Sequence, residues 1–297
     1  MTGHAAPRDA VDELRRWIVD HHRVVVLTGA GCSTASGIPD YRDDQGEWKR
    51  RPPVMFQAFR TQESTYRRYW ARAFAGWPRF TAAVPGAAHH ALAAWERTGS
   101  VARLVTQNVD GLHQRAGHRD VIDLHGRLDV VACLNCRHRT SRASVQAVMA
   151  SANAQWNASA VTAPDGDADI DPAVIESFEP PRCTQCGGLL KPDVVFFGEN
   201  VPSARYEDAR DAVAAADAIL VAGSSLMVYS GFRFVRQAYD AGLPIAIVNR
   251  GRTRGDELAN LKVEGDVGTV LTEAVGSFPD SSQRAGIYRR QIKSEVP

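Results

Sequence analysis

Short apolar runs, each closed by small polar residues, recur along the chain and set its pattern. Val24–Leu27 runs into Thr28-Gly29-Ala30-Gly31, and Val101–Thr106 into Gln107-Asn108-Val109-Asp110-Gly111. Ala218–Ala222 ends at Gly223-Ser224-Ser225, and Pro244–Val248 at Asn249-Arg250-Gly251. A shorter run, Val121–Leu124, ends at His125-Gly126, and the residues VVFF at 194–197 have the same character. Such runs are too short for helices and predict buried strands. Between them the apolar spacing turns helical. Residues 9–22 put Val11, Leu14, Trp17 and Ile18 on one face. Helices are also predicted over 62–77, 87–98 (closed by Gly99), about 203–216, and 231–241 (closed by Gly242). Alternating strand and helix predicts an α/β protein with a parallel, doubly wound sheet. The charged, proline-broken stretch 43–60 reads as a loop able to fold over a ligand.

In such a sheet the ligand crevice lies beyond the carboxyl ends of the strands. The polar clusters TGAG, TQNVDG, GSS and NRG all fall there, and their residue types suit phosphates and riboses. The first is the most informative. A strand enters a turn with two glycines, which let the backbone approach a ligand closely, and Ser33 and Thr34 then stand where a helix would open. It is not the strict dinucleotide fingerprint, because Thr34 stands where a third glycine would fall. An ordinary βα turn uses the same residues, so the accumulation of four clusters is what points to a nucleotide.

Composition adds a few exclusions. The 297 residues can bury one large core with a smaller appended unit. A net charge of +1 gives no electrostatic case for nucleic acid or an anionic membrane as partner. No run reaches the ~18 apolar residues of a membrane helix, and the N-terminal residues lack a secretory h-region. The expectation is a cytoplasmic protein.

Four of the five cysteines form two C-x-x-C pairs, Cys133/Cys136 and Cys183/Cys186. Without an export signal this spacing predicts a four-thiolate structural zinc site rather than disulfides. With all four ligands cysteine, the metal would fold its module and leave no open position for substrate. The Ala- and Asp-rich stretch between the pairs reads as an insertion from that module. Cys32 is unpaired.

GAGCSTASGIPDYR, TQNVDGLH, LHG, the paired C-x-x-C, KPDVVFFGE and GSSLMVYS stand here in the order found in the sirtuins, the NAD-dependent protein deacylases. The resemblance spans roughly residues 10–275 and is closest to the class II branch, to which RYWARAFAGWP, APDGD, CGGLLKPDVVFFGE and VYSG are similar. That branch includes a mitochondrial animal member associated with lipoamidase and ADP-ribosyltransferase activity. The resemblance implies a Rossmann-like large domain over 1–42, 84–126 and 191–297. It also implies a cofactor loop and helical insert over 43–83, and a zinc-binding small module over 127–190. NAD⁺ would be a co-substrate, zinc a structural ion, acylated-lysine proteins the partners, and the working unit a monomer.

By position, the resemblance assigns Gly29, Ala30, Gly31, Ser33 and Thr34 to the pyrophosphate. Asp40, Tyr41, Arg42 and Trp48 belong to the cofactor loop. Gln107, Asn108 and Asp110 are assigned to the nicotinamide ribose and carboxamide. Gly223, Ser224, Ser225, Asn249, Arg250, Gly251, Asp266 and Val267 are assigned to the adenosine half. His125 would be the general base, taking a proton from a ribose hydroxyl after the acyl oxygen attacks C1′ and nicotinamide leaves. From the residues alone, a core histidine is the favoured reading of His125, and only the LHG context within the full motif set reverses it. Val195, Phe196, Phe197 and Gly198, with Val228 and Tyr229, would clamp the substrate backbone as an added strand. Tyr69 and Arg72 form a Y-x-x-R pair found in sirtuins that remove acidic acyl groups, and are the expected acyl-pocket residues; an equal reading is that Arg72 is solvated like Arg67 and Arg68 and Tyr69 only packs. Alternatives are a protein mono-ADP-ribosyltransferase, a non-catalytic NAD- and zinc-binding adaptor, and an NAD oxidoreductase. The last lacks the strict glycine fingerprint.

Overall fold

The computed structural model describes residues 7–40, 43, 45, 47, 54–156, 161–162 and 168–276. The first half of the chain runs α1 (Arg8–Asp20), β1 (Val24–Thr28), α2 (Phe56–Thr61), α3 (Glu63–Ala82), α4 (Ala87–Glu96), β2 (Val101–Thr106), α5 (Leu112–Arg115) and β3 (Val121–Asp123). The middle holds β4 (Gly126–Cys133), β5 (Arg139–Ser141), α6 (Arg142–Ala152), the short β6 (Val161–Thr162) and β7 (Ala168–Asp169), α7 (Pro172–Glu176) and β8 (Leu190–Val194). The last part is α8 (Ser203–Ala214), β9 (Ala218–Ala222), α9 (Tyr229–Asp240), β10 (Ile245–Asn249), β11 (Leu261–Glu264) and α10 (Val267–Val275).

Six parallel strands form the main sheet in the order β11-β10-β9-β1-β2-β3. Both faces are covered, which is why its central strands are buried at every position and apolar up to their last residues, Thr28 in β1 and Asn249 in β10. Val24, Val26, Leu220 and Val248 pack on one face with α1, α4 and α10. Val25, Leu27, Val221 and Ile247 pack on the other with α8 and α9. The chain leaves β1 toward β2 on one side and returns to β9 on the other, so the switch point falls between β1 and β9. The loops after those two strands diverge there and open a crevice.

A second core lies around a three-stranded antiparallel sheet, β5-β4-β8. Phe59, Tyr66 and Trp70 from α2 and α3 share it with Val131, Val145, Met149, Phe178, Leu190 and Phe196. The helical insert and the cysteine-bearing segment are thus one packed body. Tyr66 stitches it by donating to the carbonyl of Pro181 at 2.6 Å and accepting from the Leu190 N–H at 3.0 Å.

Three predictions differ. The stretch 43–60, read as a loop, runs at its end into helix α2 (Phe56–Thr61), where Phe59 is buried in the second core. No α-helix opens at Ser33; two short 3₁₀ turns, Ala30–Cys32 and Thr34–Ser36, end at Gly37 with φ of 82°. Pro39 follows at once and disfavours helical backbone at Ile38, so the loop is too short for an α-helix. The strand predicted at 194–197 lies earlier, at Leu190–Val194. It ends where the Val195 N–H turns to the His125 carbonyl at 2.8 Å and Gly198 takes a φ of 80°. The sequence reading also missed β11 and α10, whose polar-spaced starts conceal a short edge strand and a capped helix.

Candidate active site

A cavity of about 1100 Å³ opens at the switch point and extends to the second core. Its sheet side is built from the ends of β1, β2, β9 and β10. Gly31 N–H donates to the Gly223 carbonyl at 2.8 Å, bringing the two loops into backbone contact. A Cβ on Gly29 or Gly31 would meet Gly223 or Ser224 at 2.8 Å, so these glycines are required by the close approach. Asn108 Nδ2 donates to the Gly29 carbonyl at 3.0 Å and to Ser33 Oγ at 3.1 Å, and Ser33 Oγ donates to Asp110 Oδ2 at 2.7 Å. Gln107 Nε2 donates to Ser224 Oγ at 2.7 Å. One amide, hydroxyl and carboxylate network therefore fixes the polar wall.

Gly29, Ala30, Gly31, Ser33, Thr34, Asp40, Gln107, Asn108, Asp110, Gly223, Ser224, Ser225, Asn249, Arg250, Asp266 and Val267 all line this cavity. Gly251 does not. It turns the chain with φ of 74° beyond Arg250. Tyr41, Arg42 and Trp48 lie outside the described residues. Asp266 caps α10 by accepting from Thr269 N–H at 3.0 Å. The wall offers small residues, hydroxyls, amides and carboxylates, the donor set a dinucleotide with two phosphates and two riboses requires. The volume exceeds the ~300–1,000 Å³ of ordinary small-molecule pockets, which leaves room for part of a second substrate.

His125 stands on the cavity wall just after β3. Its Nδ1 is 3.0 Å from the Gln107 carbonyl, which only accepts, so Nδ1 carries the proton. Its Nε2 is then the basic nitrogen, 2.7 Å from Ser230 Oγ. Burial pushes its pKa down to about 4, so the ring is neutral at pH 7. Val195, Phe196, Phe197 and Gly198 line the cavity on one side of it, and Val228, Tyr229 and Ser230 on the other. Lys191 shapes the first of these segments. Buried against Phe196, it donates to the Val194 carbonyl and pairs with Glu199 at 3.0 Å, while Glu199 accepts from Phe196 N–H at 2.9 Å.

The chain belongs to the Sir2 family. The family model matches residues 29–230. It is 60% identical over 261 residues to an NAD-dependent protein deacetylase of Xanthomonas axonopodis, covering 88% of this chain and 89% of that one. A Drosophila melanogaster NAD-dependent protein deacylase, Sirt4, is 46% identical over 267 residues, with 89% and 86% covered. A solved Sir2 structure with a p53 peptide and NAD⁺ is similar with a TM-score of 0.72 at 29% identity, over 93% of this chain and 99% of that one.

The sirtuin's four cysteines converge as their spacing predicts. Their sulfurs all lie within 4.8 Å of one another, with Cys133–Cys186 at 3.5 Å and Cys136–Cys183 at 3.7 Å. Four sulfurs about 2.3 Å from one tetrahedral ion stand roughly 3.8 Å apart, so the residues fit zinc. Cys32 is separate. Buried, with its Sγ donating to the Ala222 carbonyl at 3.3 Å, it has a pKa pushed up to about 12 by burial.

The acyl-pocket expectation divides. Tyr69 lines the cavity together with Ala73, Trp77 and Phe80, the stripe one, two and three turns further along α3. Arg72 is not on the cavity wall, because about 100° per residue carries it to the other side of that stripe. The sequence reading missed Ser230 as the partner of His125, and Arg142, which enters the wall from α6. No spacing rule singles out either one.

No helix among the described residues is long and apolar enough to cross a membrane.

Proposed function

We propose that this chain is an NAD-dependent protein lysine deacylase that moves the acyl group from lysine to ADP-ribose and releases nicotinamide. The observation that carries the reading is the basic Nε2 of a neutral His125. It faces one cavity between the glycine turn and the two segments 195–198 and 228–230. In this reading the glycine turn and Ser224 receive the pyrophosphate, and Asp110 and Asn108 the ribose next to nicotinamide. Residues 195–198 and 228–230 hold the substrate backbone so that acyl-lysine enters beside His125. The acyl oxygen attacks C1′ as nicotinamide departs with the bonding electron pair. His125 Nε2 then accepts the proton of a ribose hydroxyl, whose oxygen attacks the acyl carbon. The bond to the lysine nitrogen breaks as the amine leaves with a proton, and a water adds to the acyl carbon to give O-acyl-ADP-ribose. A histidine neutral at pH 7 can take that proton, and the phosphates' negative charge near the site raises its basicity.

Residues 1–42, 84–126 and 191–297 act as the cofactor-binding unit and 127–190 as the zinc module, with β8 contributing its strand to the latter's sheet. The working unit in this reading is a monomer. Free thiolates as zinc ligands suit the reducing cytoplasm. The test is nicotinamide release from NAD⁺ with and without an acetyl-lysine peptide: release that depends on the peptide supports the reading, and peptide-independent release opposes it.

A further inference from the structure

Arg142, the first residue of α6, is only 2% exposed and yet has no carboxylate within ion-pair distance among the described residues. Its hydrogen bonds run to neutral acceptors: Nη1 to Gln146 Oε1 at 2.6 Å and Nη2 to the Ala73 carbonyl at 3.1 Å. Its guanidinium lies over the rings of Trp70 and Trp77, at 5.3 Å and 4.6 Å from their centroids. These contacts orient the cation but do not neutralise it. Burial lowers its pKa to about 10, which still leaves it charged at pH 7. A desolvated cation without a counter-anion is costly unless a ligand supplies one. Arg142 also lines the cavity, beside Tyr69, Ala73 and Trp77.

The cavity's two ends differ in kind. The glycine turn and Ser224, which suit the cofactor's phosphates, belong to the parallel sheet. Arg142 belongs to the second core, on the side of Phe196 and Tyr69, whose rings are 5.1 Å apart. An anion reaching Arg142 therefore comes with the other substrate. Aromatic and aliphatic walls with the buried Arg142 among them, and Arg79 also lining the cavity on α3, match a short carbon chain ending in a carboxylate. An acetyl or lipoyl group would leave the guanidinium unpaired.

We propose that Arg142 is the specificity-determining residue for the acyl group, and that it selects acyl-lysines with a terminal carboxylate, of the glutaryl type. This rests on the deacylase reading. The carboxylate would accept charge-assisted hydrogen bonds from the guanidinium's remaining N–H groups.

The experiment compares three peptides of one sequence, carrying acetyl-lysine, glutaryl-lysine and the uncharged carboxamide isostere of glutaryl-lysine. The readouts are kcat/KM with NAD⁺ and peptide Kd without it, for the wild type, Arg142→Gln, Arg142→Lys and Arg72→Gln. The wild type is expected to favour glutaryl over the carboxamide by roughly 10- to 100-fold, the size of one or two charged hydrogen bonds. Arg142→Gln should erase that ratio in both readouts, Arg142→Lys should keep part of it, and Arg72→Gln should preserve it. A wild-type enzyme that does not distinguish glutaryl from its carboxamide overturns the proposal, and this comparison needs no variant to fold. Loss of the ratio in Arg72→Gln but not in Arg142→Gln overturns it too. If no acyl peptide is turned over with NAD⁺, the deacylase reading fails instead, while the Kd ratio still tests Arg142.

Discussion

The Nε2 of His125 lies 2.7 Å from the Oγ of Ser230, across the mouth of the cavity. The Gln107 carbonyl at 3.0 Å fixes the proton on Nδ1, so Ser230 donates and Nε2 accepts. The tautomer is set by a backbone group, and Ser230 occupies the basic nitrogen; in the proposed deacylase a substrate hydroxyl would replace it.

This ordering separates two substitutions. His125→Ala should lower kcat by about 10²–10⁴-fold, the range for loss of a general base, while NAD⁺ binding by calorimetry stays within a few fold. Ser230→Ala should change kcat less than tenfold, because the tautomer survives it. A Ser230→Ala loss as large as that of His125→Ala would make Ser230 part of the chemistry.

Acidification should cost stability as well as activity. His89, His113 and His118 lie together beside Ser33 and Thr28, and burial lowers the pKa of each. For His118, burial outweighs Glu96, whose Oε2 is 3.2 Å away. The unfolded chain takes protons on these rings below about pH 6.5, before the folded chain does. Their contribution is therefore present above that pH and lost as pH falls toward the lowered folded values. Tm should drop between pH 7 and 5, and His89→Gln should flatten that slope. An unchanged Tm across the window would contradict the burial argument.

Chelation of zinc, or Cys→Ser at Cys133, Cys136, Cys183 or Cys186, should unfold the second core and reduce activity indirectly. β4 and β8 carry Cys133 and Leu190, so losing the metal also loosens the segment that leads to Val195. Elemental analysis should find one zinc per chain. Cys32→Ser should leave that count unchanged.

The contact between the loops after β1 and β9 gives a backbone test. Gly223 has φ of 64°, and a Cβ there would meet the Cys32 amide nitrogen at 2.5 Å. Gly223→Ala should destabilise the protein by about 1–3 kcal/mol and weaken NAD⁺ binding, read by urea denaturation and calorimetry. Gly242→Ala has comparable strain, φ of 70°, but nothing near its Cβ and no place at the cavity. It should lower stability without affecting NAD⁺ affinity.

What the sequence made legible follows from range. Val24–Leu27 and Ala218–Ala222 are apolar throughout because both sheet faces are covered, and that burial is written in each residue. The C-x-x-C spacing is likewise local, since each pair meets its ion through one turn. The loop after β1 was misread although Pro39, which cuts it short, is local; its course also rests on the backbone contact of Gly31 with Gly223, far away in sequence. Arg72 looked like an acyl-pocket residue because i,i+3 spacing places two residues on neighbouring faces without saying which face meets a cavity. Arg142 carried no signal at all. It reaches the wall only through the packing of α6 on α3.

The most direct measurement is the product balance with NAD⁺ and an acetyl-lysine peptide, followed by mass spectrometry. Deacylation predicts nicotinamide, free-lysine peptide and O-acetyl-ADP-ribose in equal amounts, all abolished together in His125→Ala. ADP-ribose attached to protein while the acetyl group stays on lysine, or NAD⁺ bound without any nicotinamide released, would contradict the account.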